Sequence, residues 1–252
     1  MRINTHVGAI TATKNGFVNQ MAAERSMAKL SSGLRISRAG DDAGGLAIAN
    51  KLRTQSRALS TAANNAEQGA AMLQIAESAA QTMEKIIERQ KELIVQKAST
   101  NSVGGATILG NEIAALDTEV VRIKGAADFQ GTNVFASLTF AVTDSAGLVT
   151  VDASLTLTAL TATSTAANAD TALDAVNTAL GAIGAGQSVL DYTVQNLKAA
   201  VVNVRAAESV LRDVEMADEM ATYTKNSILK SAAEAMLAQA NQSSQGVLQY
   251  LR

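Results

Sequence analysis

The sequence predicts a mainly α-helical fold, an elongated antiparallel helical bundle or coiled coil with paired N- and C-terminal helices and a small β-hairpin region. The 252 residues include no proline, which permits uninterrupted helices because proline removes a backbone donor and clashes with the preceding turn. Hydrophobic residues make up 47% of the chain but aromatic residues only 3%, and small apolar side chains suit closely packed helices. Apolar residues also recur at three- and four-residue steps through most of the chain.

The first helical pattern covers residues 3–28, and a break follows it. Its apolar positions are Ile3, Val7, Ile10, Phe17, Met21 and Ala28. The Ser- and Gly-containing stretch from Leu30 to Gly40 predicts a hinge. Asp41 and Asp42 predict the start of the next helix, because carboxylates there accept hydrogen bonds from free backbone N–H groups.

A long second helix is predicted from Asp42 to Ala98, with a length of roughly 85 Å at ~1.5 Å per residue. Its coiled-coil seam consists of Leu59, Ala63, Ala66, Ala70, Leu73, Ala76, Ala80, Met83, Ile87 and Ile94. After a turn at Ser99–Gly105, a third helix has the heptad positions Leu109, Ile113, Leu116, Val120, Ile123 and Ala127. Regular seams of this kind indicate long helices packed side by side.

Alternation of apolar and polar residues replaces the helical period after Phe129. It predicts a β-hairpin at about 134–160 with a turn at Asp144–Gly147, and then a loop through Ala169. Helical spacing resumes at Leu173, and Gly184 and Gly186 predict a kink or turn. The pattern then continues as one seam to the C-terminus through Leu190, Val194, Leu197, Val201, Val204, Leu211, Met220, Leu229, Ala233, Met236 and Ala240.

The seams at the two ends of the chain have no short-range partner in sequence. They must pair with each other or with other molecules. Seams rich in Ala and Met bury little apolar surface, whereas ordering the backbone costs about 1–2 kcal/mol per residue. We therefore expect these ends to be marginal in an isolated molecule and to fold when neighbours supply more surface, as in a self-assembling subunit.

Composition excludes several classes of function. A net charge of −2 does not favour nucleic acid as a partner, and the absence of Cys excludes a disulfide framework and thiolate chemistry. No stretch approaches the ~18 consecutive apolar residues of a membrane span, and the N-terminus lacks the pattern of a secretory signal. No nucleophile elbow, phosphate-binding loop or HExxH motif occurs, so we expect no enzyme, cofactor or metal. An enzyme or adaptor built on a coiled coil would need such a constellation.

Two groups of polar residues have a structural interpretation. The single histidine, His6, lies in a helical pattern without Cys or clustered carboxylates, which favours a structural or surface role. Asp41 and Asp42 are adjacent, so they do not face each other across a helix and fit a helix start better than a carboxylate pair.

Charged residues form two belts. The basic belt near the hinge consists of Arg25, Lys29, Arg35 and Arg38. The acidic belt before the last helical stretch consists of Glu208, Asp213, Glu215, Asp218 and Glu219. They are either two solvated faces or surfaces that meet within or between subunits and set the register.

Two long motifs lie at opposite ends of the chain. The first, LSSGLRISRAGDDAGGLAIANKLR, spans Leu30–Arg53, and the second, AMLAQANQSSQGVLQYLR, spans Ala235–Arg252. In this order they resemble the N- and C-terminal signatures of bacterial flagellin, the subunit of the flagellar filament. Within the first motif, the hinge and signature residues are Leu34, Arg35, Asp41 and Asp42. The resemblance covers roughly residues 1–135 and 185–252.

The resemblance implies a domain organisation. Residues 1–40 and 209–252 would form an inner, lumen-lining coiled-coil domain of terminal helices. Residues 41–208 would form a rod domain that includes the β-hairpin. The middle of the chain is too short for the large outer domains of longer flagellins.

The resemblance also implies a function, which is helical polymerisation into the extracellular bacterial filament used for swimming. The homopolymer would be exported through the flagellar secretion channel without a cleaved signal, with an export chaperone and the filament cap and junction proteins as partners. The alternative is the related hook–filament junction protein, which shares the end segments. The AMLAQANQ motif and the absence of proline near Asp41 and Asp42 favour the filament subunit.

Apolar residues of the terminal helices are the expected polymerisation residues. They are Ile10, Phe17, Met21, Leu229, Met236, Leu237, Val247, Leu248 and Leu251. The uncharged tail is either a frayed terminus or a helix that presents Gln239, Asn241, Gln242, Gln245 and Gln249. The resemblance favours the helix, because this segment lines the filament lumen in flagellins.

A second resemblance concerns a receptor. The segments IERQKELIVQ (Ile87–Gln96) and NEIAALDTEVVRI (Asn111–Ile123) resemble the helices that many flagellins present to the vertebrate Toll-like flagellin receptor. The motif carries over onto Arg89, Leu93 and Glu112. In the alternative interpretation, Leu93 and Glu112 serve packing between subunits.

Overall fold

The computed structural model describes residues 6–99, 105–143 and 147–250, with side chains described through residue 243. The helices are α1 (Val7–Ser32), α2 (Ala43–Ala98), α3 (Ala106–Ala126), α4 (Ala166–Arg212) and α5 (Met216–Tyr250). The strands are β1 (Asp128–Phe129), β2 (Thr132–Asn133), β3 (Ser137–Ala141) and β4 (Leu148–Asp152). The mainly α-helical fold with a small hairpin region is therefore confirmed, although most of the predicted turns at 99–105 and 144–147 lies outside the described residues.

The chain forms two compact units. Unit 1 contains Met1–Thr54 and Val204–Arg252, and unit 2 contains Gln55–Asn203. Buried hydrophobic residues are concentrated in unit 2. Within the described part of unit 1, only Ile36 and Ala49 are hydrophobic and buried.

Local hydrogen bonds set the ends of α1 and α2. The imidazole Nδ1 of His6 accepts a hydrogen bond from the Ala9 N–H at 3.2 Å, which starts α1. Gly33 ends that helix with a φ of 70°, in the left-handed region that glycine adopts without steric cost. Asp42 Oδ1 accepts from the Gly45 N–H at 2.9 Å, which starts α2. The chain breaks between α1 and α2 as predicted, but of the two carboxylates predicted at the start of the second helix only Asp42 caps α2.

Unit 2 packs α4 antiparallel to α2. Glu67 on α2 pairs with Lys198 on α4 at 2.7 Å, and the Glu77 carboxylate accepts a hydrogen bond from Gln187 at 2.9 Å. Since the residue number rises on α2 as it falls on α4, the two helices run in opposite directions. The predicted α2 seam is buried from Leu59 onwards, with Gly69 rather than the half-buried Ala70 at one of its positions.

A buried amide interrupts this apolar seam. Gln90 occupies the heptad position between Ile87 and Ile94, and its side chain is fully buried. Its Nε2 donates to the Ile113 carbonyl on α3 at 3.1 Å. Its Oε1 has no hydrogen-bond partner among the described residues. The spacing predicted a buried position here, but the residue type did not.

Two small antiparallel hairpins connect α3 to α4. The predicted hairpin consists of β3 and β4, in which Thr139 lies opposite Thr150. A tighter hairpin, β1–β2, was not predicted. Its two-residue turn has positive φ at both Gln130 (52°) and Gly131 (81°), the conformation that matches the twist of a hairpin.

Three expectations for the second half of the chain are wrong. Helix α4 starts at Ala166, so the predicted loop through Ala169 is too long. It continues without a break through Gly184 and Gly186, where a kink or turn was predicted. Conversely, the helical run stops at residues 213–215 instead of continuing to the C-terminus, because the backbone there pairs with the hinge.

Candidate assembly surface

The terminal helices α1 and α5 pair antiparallel within unit 1. The His6 Nε2 lies 3.1 Å from the Ala240 carbonyl, and Lys29 lies 4.0 Å from Glu219 at the other end of the pair. Between these points, a Cβ on Gly16 would lie 3.4 Å from the Ala233 methyl. The paired ends that were expected from the sequence are therefore joined within one molecule.

Small and polar residues form the seam between the two helices. Half-buried or buried positions of α1 follow three- and four-residue steps and include Ala9, Ala12, Gly16, Asn19, Ala23, Ser26 and Leu30. Those of α5 have the same spacing and include Glu219, Tyr223, Asn226, Lys230, Ala233, Leu237 and Ala240. Of the predicted polymerisation residues whose side chains the structure describes, only Leu237 belongs to this seam.

The large apolar residues of α1 lie on the opposite side of the helix from the seam. At 100° per residue they form one stripe, which consists of Val7, Ile10, Phe17, Val18 and Met21. Phe17 is 64% exposed and Ile10 is 60% exposed. The sequence left open whether the stripe through Ile10, Phe17 and Met21 pairs within the molecule or with other molecules, and these residues lie outside the intramolecular seam.

Helix α5 also presents apolar side chains to solvent. Leu229 and Met236 are seven residues apart and therefore share one face, and Met236 is 64% exposed. An open groove of about 600 Å³ runs between α1 and α5 beside them. Its lining includes Thr11, Ala12, Asn15, Leu229, Ala232 and Met236. Unit 1 therefore exposes more large apolar side chains than it buries, which marks an interaction surface.

The last predicted polymerisation residues are only partly described. The backbone of Val247 and Leu248 belongs to α5, but their side chains lie outside the described residues, as does Leu251. In the described part of the tail, the side chains of Gln239, Asn241 and Gln242 are exposed.

Backbone pairing at the hinge joins the N-terminal and C-terminal segments of unit 1. Leu34 and Asp213 form an isolated antiparallel bridge, with the Arg35 N–H donating to the Arg212 carbonyl at 2.7 Å. The Arg35 guanidinium also donates to the Leu211 carbonyl at 2.7 Å. The signature residues Leu34 and Arg35 thus join the two ends of the chain.

Asp41 stabilises the hinge loop rather than a helix. Its Oδ2 accepts hydrogen bonds from the N–H groups of Arg38 at 3.0 Å and Ser37 at 3.2 Å. These backbone N–H groups lower the pKa of the Asp41 carboxyl below its ordinary value. The two signature carboxylates therefore have different roles, since Asp42 caps α2.

The three predicted receptor residues are not equivalent. Arg89 is exposed and pairs with Glu112 at 3.6 Å and with Glu92 at 2.8 Å. Leu93 is only 1% exposed. An apolar Leu93 beside Arg89 on the surface was expected, but its side chain belongs to the core of unit 2 within the single molecule.

Among residues 6–99, 105–143 and 147–250, no group of three acidic or histidine side chains is arranged to hold a metal ion. None of the helices, over the residues that can be described, is long and apolar enough to cross a membrane.

Both halves of the chain match one protein family. Residues 3–139 match the bacterial flagellin N-terminal helical region, and residues 166–251 match the bacterial flagellin C-terminal helical region. Among curated proteins, flagellin from Halalkalibacterium halodurans is 40% identical over an alignment of 272 residues that covers 100% of both chains. Flagellin from Bacillus subtilis is 36% identical over 304 aligned residues, again with 100% of both chains covered.

One further relative and one solved structure are also similar to this chain. The flagellar filament 33 kDa core protein of Treponema phagedenis is 37% identical over 289 aligned residues that cover 100% of both chains. Among solved structures, the crystal structure of Bacillus cereus flagellin aligns with a TM-score of 0.40 and 21% identity, over 56% of this chain and 88% of that chain.

Proposed function

The chain belongs to the bacterial flagellin family and is a structural subunit of the extracellular flagellar filament, and on that premise we propose that the outward apolar side chains of α1 and α5 form its polymerisation surface. The surface comprises Ile10, Phe17 and Met21 on α1 with Leu229 and Met236 on α5. The proposal also includes Val247 and Leu248, near the end of α5, and Leu251, which lies outside the described residues.

The helix pair has small side chains in its seam and large apolar side chains on its exposed surface, which supports this assignment. Small residues such as Gly16 and Ala233 occupy the seam, whereas Phe17 and Met236 are each 64% exposed. Burial of one large apolar side chain is worth about 1.5–3 kcal/mol. A neighbour that covers several of them supplies free energy that the isolated pair lacks.

The two units support the proposed domain assignment. Unit 1 has almost no buried hydrophobic residues of its own, so it fits an inner domain of terminal helices, proposed from the sequence as 1–40 and 209–252. Unit 2 has the core expected of a rod domain, proposed as 41–208. Within the inner domain, the uncharged face with Gln239, Asn241 and Gln242 would line the lumen, because a neutral surface does not bind a passing unfolded chain by charge.

Family membership supports several further partners. We propose export through the flagellar secretion channel without a cleaved signal, an export chaperone, and contacts with the filament cap and junction proteins at the ends of the polymer. For the vertebrate Toll-like flagellin receptor, the exposed ion pair of Arg89 and Glu112 is the proposed contact, with Leu93 as the residue that packs beneath it.

Seeded polymerisation of purified full-length chain tests the polymerisation surface. Phe17→Asp and Met236→Asp should each abolish elongation of sonicated filament seeds, because a charge would be buried without a partner between subunits. Thr13→Asp is the matched control, since it adds the same charge to an exposed position of α1 outside the apolar stripe. Normal elongation of both Phe17→Asp and Met236→Asp would disprove the proposed surface.

A further inference from the structure

A crevice of about 480 Å³ lies in unit 1 between α1 and the hinge loop. We call it the basic crevice, because its lining includes Arg25, Lys29 and Arg38 together with Ser37 and Gly40. Glu24 and Asp41 also line it. The question is which of these charges are already satisfied within the molecule.

Both acidic groups of the crevice have internal partners. Asp41 accepts from the backbone of Ser37 and Arg38, and Glu24 accepts from the Gln20 side chain at 3.0 Å. Lys29 lies 4.0 Å from Glu219. By contrast, neither Arg25 nor Arg38 has a carboxylate within 4 Å among the described residues.

The start of α5 has the opposite charge. We call Glu215 and Asp218 the acidic helix start, since Glu215 immediately precedes Met216, and Asp218 lies in the first turn. Both side chains are exposed, and no cation lies within 4 Å of either one in the described part of the chain. Their neighbour Glu219 already reaches Lys29 of the same molecule.

We propose that the basic crevice of one subunit binds the acidic helix start of a neighbouring copy in the filament. Guanidinium groups bind carboxylates through two parallel N–H···O bonds, so Arg25 and Arg38 are suited to Asp218 and Glu215. The two surfaces are different patches of one chain. The contact is therefore heterologous, and such a contact propagates into an open helical polymer unless its rotation closes a ring.

This inference rests on the proposed polymerisation, to which it adds a polar contact that orients one copy on the next. Apolar stripes are tolerant of sliding, whereas opposite charges fix register and suppress wrong alignments. The contact also answers the question left open by the two charge belts, since only Lys29 and Glu219 form an ion pair between them within one subunit.

Charge reversal on each side provides the test. One variant carries Arg25→Glu and Arg38→Glu, and the other carries Glu215→Lys and Asp218→Lys. Each alone should raise the critical concentration for seeded elongation by about tenfold or more, because like charges then face each other. Lys51→Glu is the control, as it reverses an exposed cation of unit 1 outside the crevice.

An equimolar mixture of the two variants distinguishes a contact between copies from one within a copy. In an alternating copolymer, every unchanged crevice meets an unchanged helix start and every reversed crevice meets a reversed one. Elongation should therefore return in the mixture to within about threefold of wild type. Near-ultraviolet circular dichroism spectra and thermal unfolding of each monomer verify that the variants fold.

Each result has a definite meaning. If the mixture stays inactive while one chain carrying all four substitutions elongates, the contact lies within one molecule and the inference is wrong. If both variants elongate like Lys51→Glu, the contact does not exist. Failure of the wild-type chain to elongate seeds would instead count against the proposed polymerisation itself.

Discussion

A Cβ atom on Gly186 would lie 2.6 Å from Cγ1 of Val151. Helix α4 therefore lies directly against strand β4 at this point, and only a residue without a side chain fits there. Gly69 on α2 does the same for Phe140 on β3, where a Cβ would lie 2.8 Å from the ring. The small hairpin is thus positioned by one glycine from each long helix of unit 2.

Gly186→Ala should destabilise unit 2 by about 1–3 kcal/mol, because the added methyl overpacks against the stiff, β-branched Val151. Thermal unfolding followed by circular dichroism measures the effect. Gly184→Ala is the control, since a Cβ there meets nothing within 4 Å. It should stabilise the helix by up to about 1 kcal/mol, so equal effects of the two changes would contradict the close packing.

Val201→Asp should destabilise unit 2 by several kcal/mol, because Val201 is 8% exposed and a carboxylate there has no partner. Val202 is the adjacent residue and is 65% exposed. Val202→Asp should therefore leave the unfolding temperature nearly unchanged. A comparable loss for both substitutions would show that the α4 seam is not the one described.

Protease should remove α1 and α5 from soluble monomer first and leave unit 2. Unit 1 has few buried apolar residues to resist local unfolding. The same ends should resist cleavage in the filament, where neighbours cover the apolar stripe. Limited digestion followed by mass spectrometry compares the two states, and equal resistance would argue against folding on assembly.

Arg89→Ala should weaken receptor signalling by monomer without lowering thermal stability much, because Arg89 is exposed and surface ion pairs contribute little to stability. Leu93→Ala should instead destabilise unit 2 by roughly 2–5 kcal/mol, as expected for a buried leucine. A reporter-cell assay with thermal unfolding separates the two effects. Arg122→Ala removes another exposed, ion-paired arginine from unit 2 and should change neither.

Acid should weaken the hinge loop through Asp41. The pKa of its carboxyl is lowered by the N–H groups of Arg38 and Ser37, so the charged form stabilises the folded loop. That contribution is fully present above the unfolded value of about 3.9 and is lost as the pH falls through the lower folded value. A carboxyl-carbon titration by nuclear magnetic resonance should give an Asp41 midpoint below that of an unperturbed aspartate, and an ordinary midpoint would contradict the loop geometry.

Helical periods predicted much of unit 2, because its seams are long and nearly every heptad position is apolar. The α2 seam from Leu59 to Ile94 and the α3 positions Ile113 and Val120 are buried as expected. The prediction of a kink or turn at Gly184 and Gly186 was wrong because glycine in a sequence often indicates a turn. Glycine also allows close packing, but the packing of Gly186 against Val151 depends on a strand more than thirty positions away in the sequence.

At α1, the sequence left open whether the large apolar residues pair within the molecule. Spacing of large apolar residues identifies the stripe through Ile10, Phe17 and Met21 but not the molecule that covers it. Closely packed helices instead meet through small residues, and Ala9, Ala12 and Gly16 contribute weakly to any hydrophobic pattern. The β1–β2 hairpin was missed because its strands contain only two residues each.

The amide of Gln90 resists mechanical shear between α2 and α3. Sliding α3 by one helical turn would break the bond from Nε2 to the Ile113 carbonyl and leave a second buried polar group unpaired, at a cost of about 1–3 kcal/mol. We therefore expect this buried polar contact to hold α3 at one alignment along α2 within each subunit, which apolar contacts alone specify less strictly.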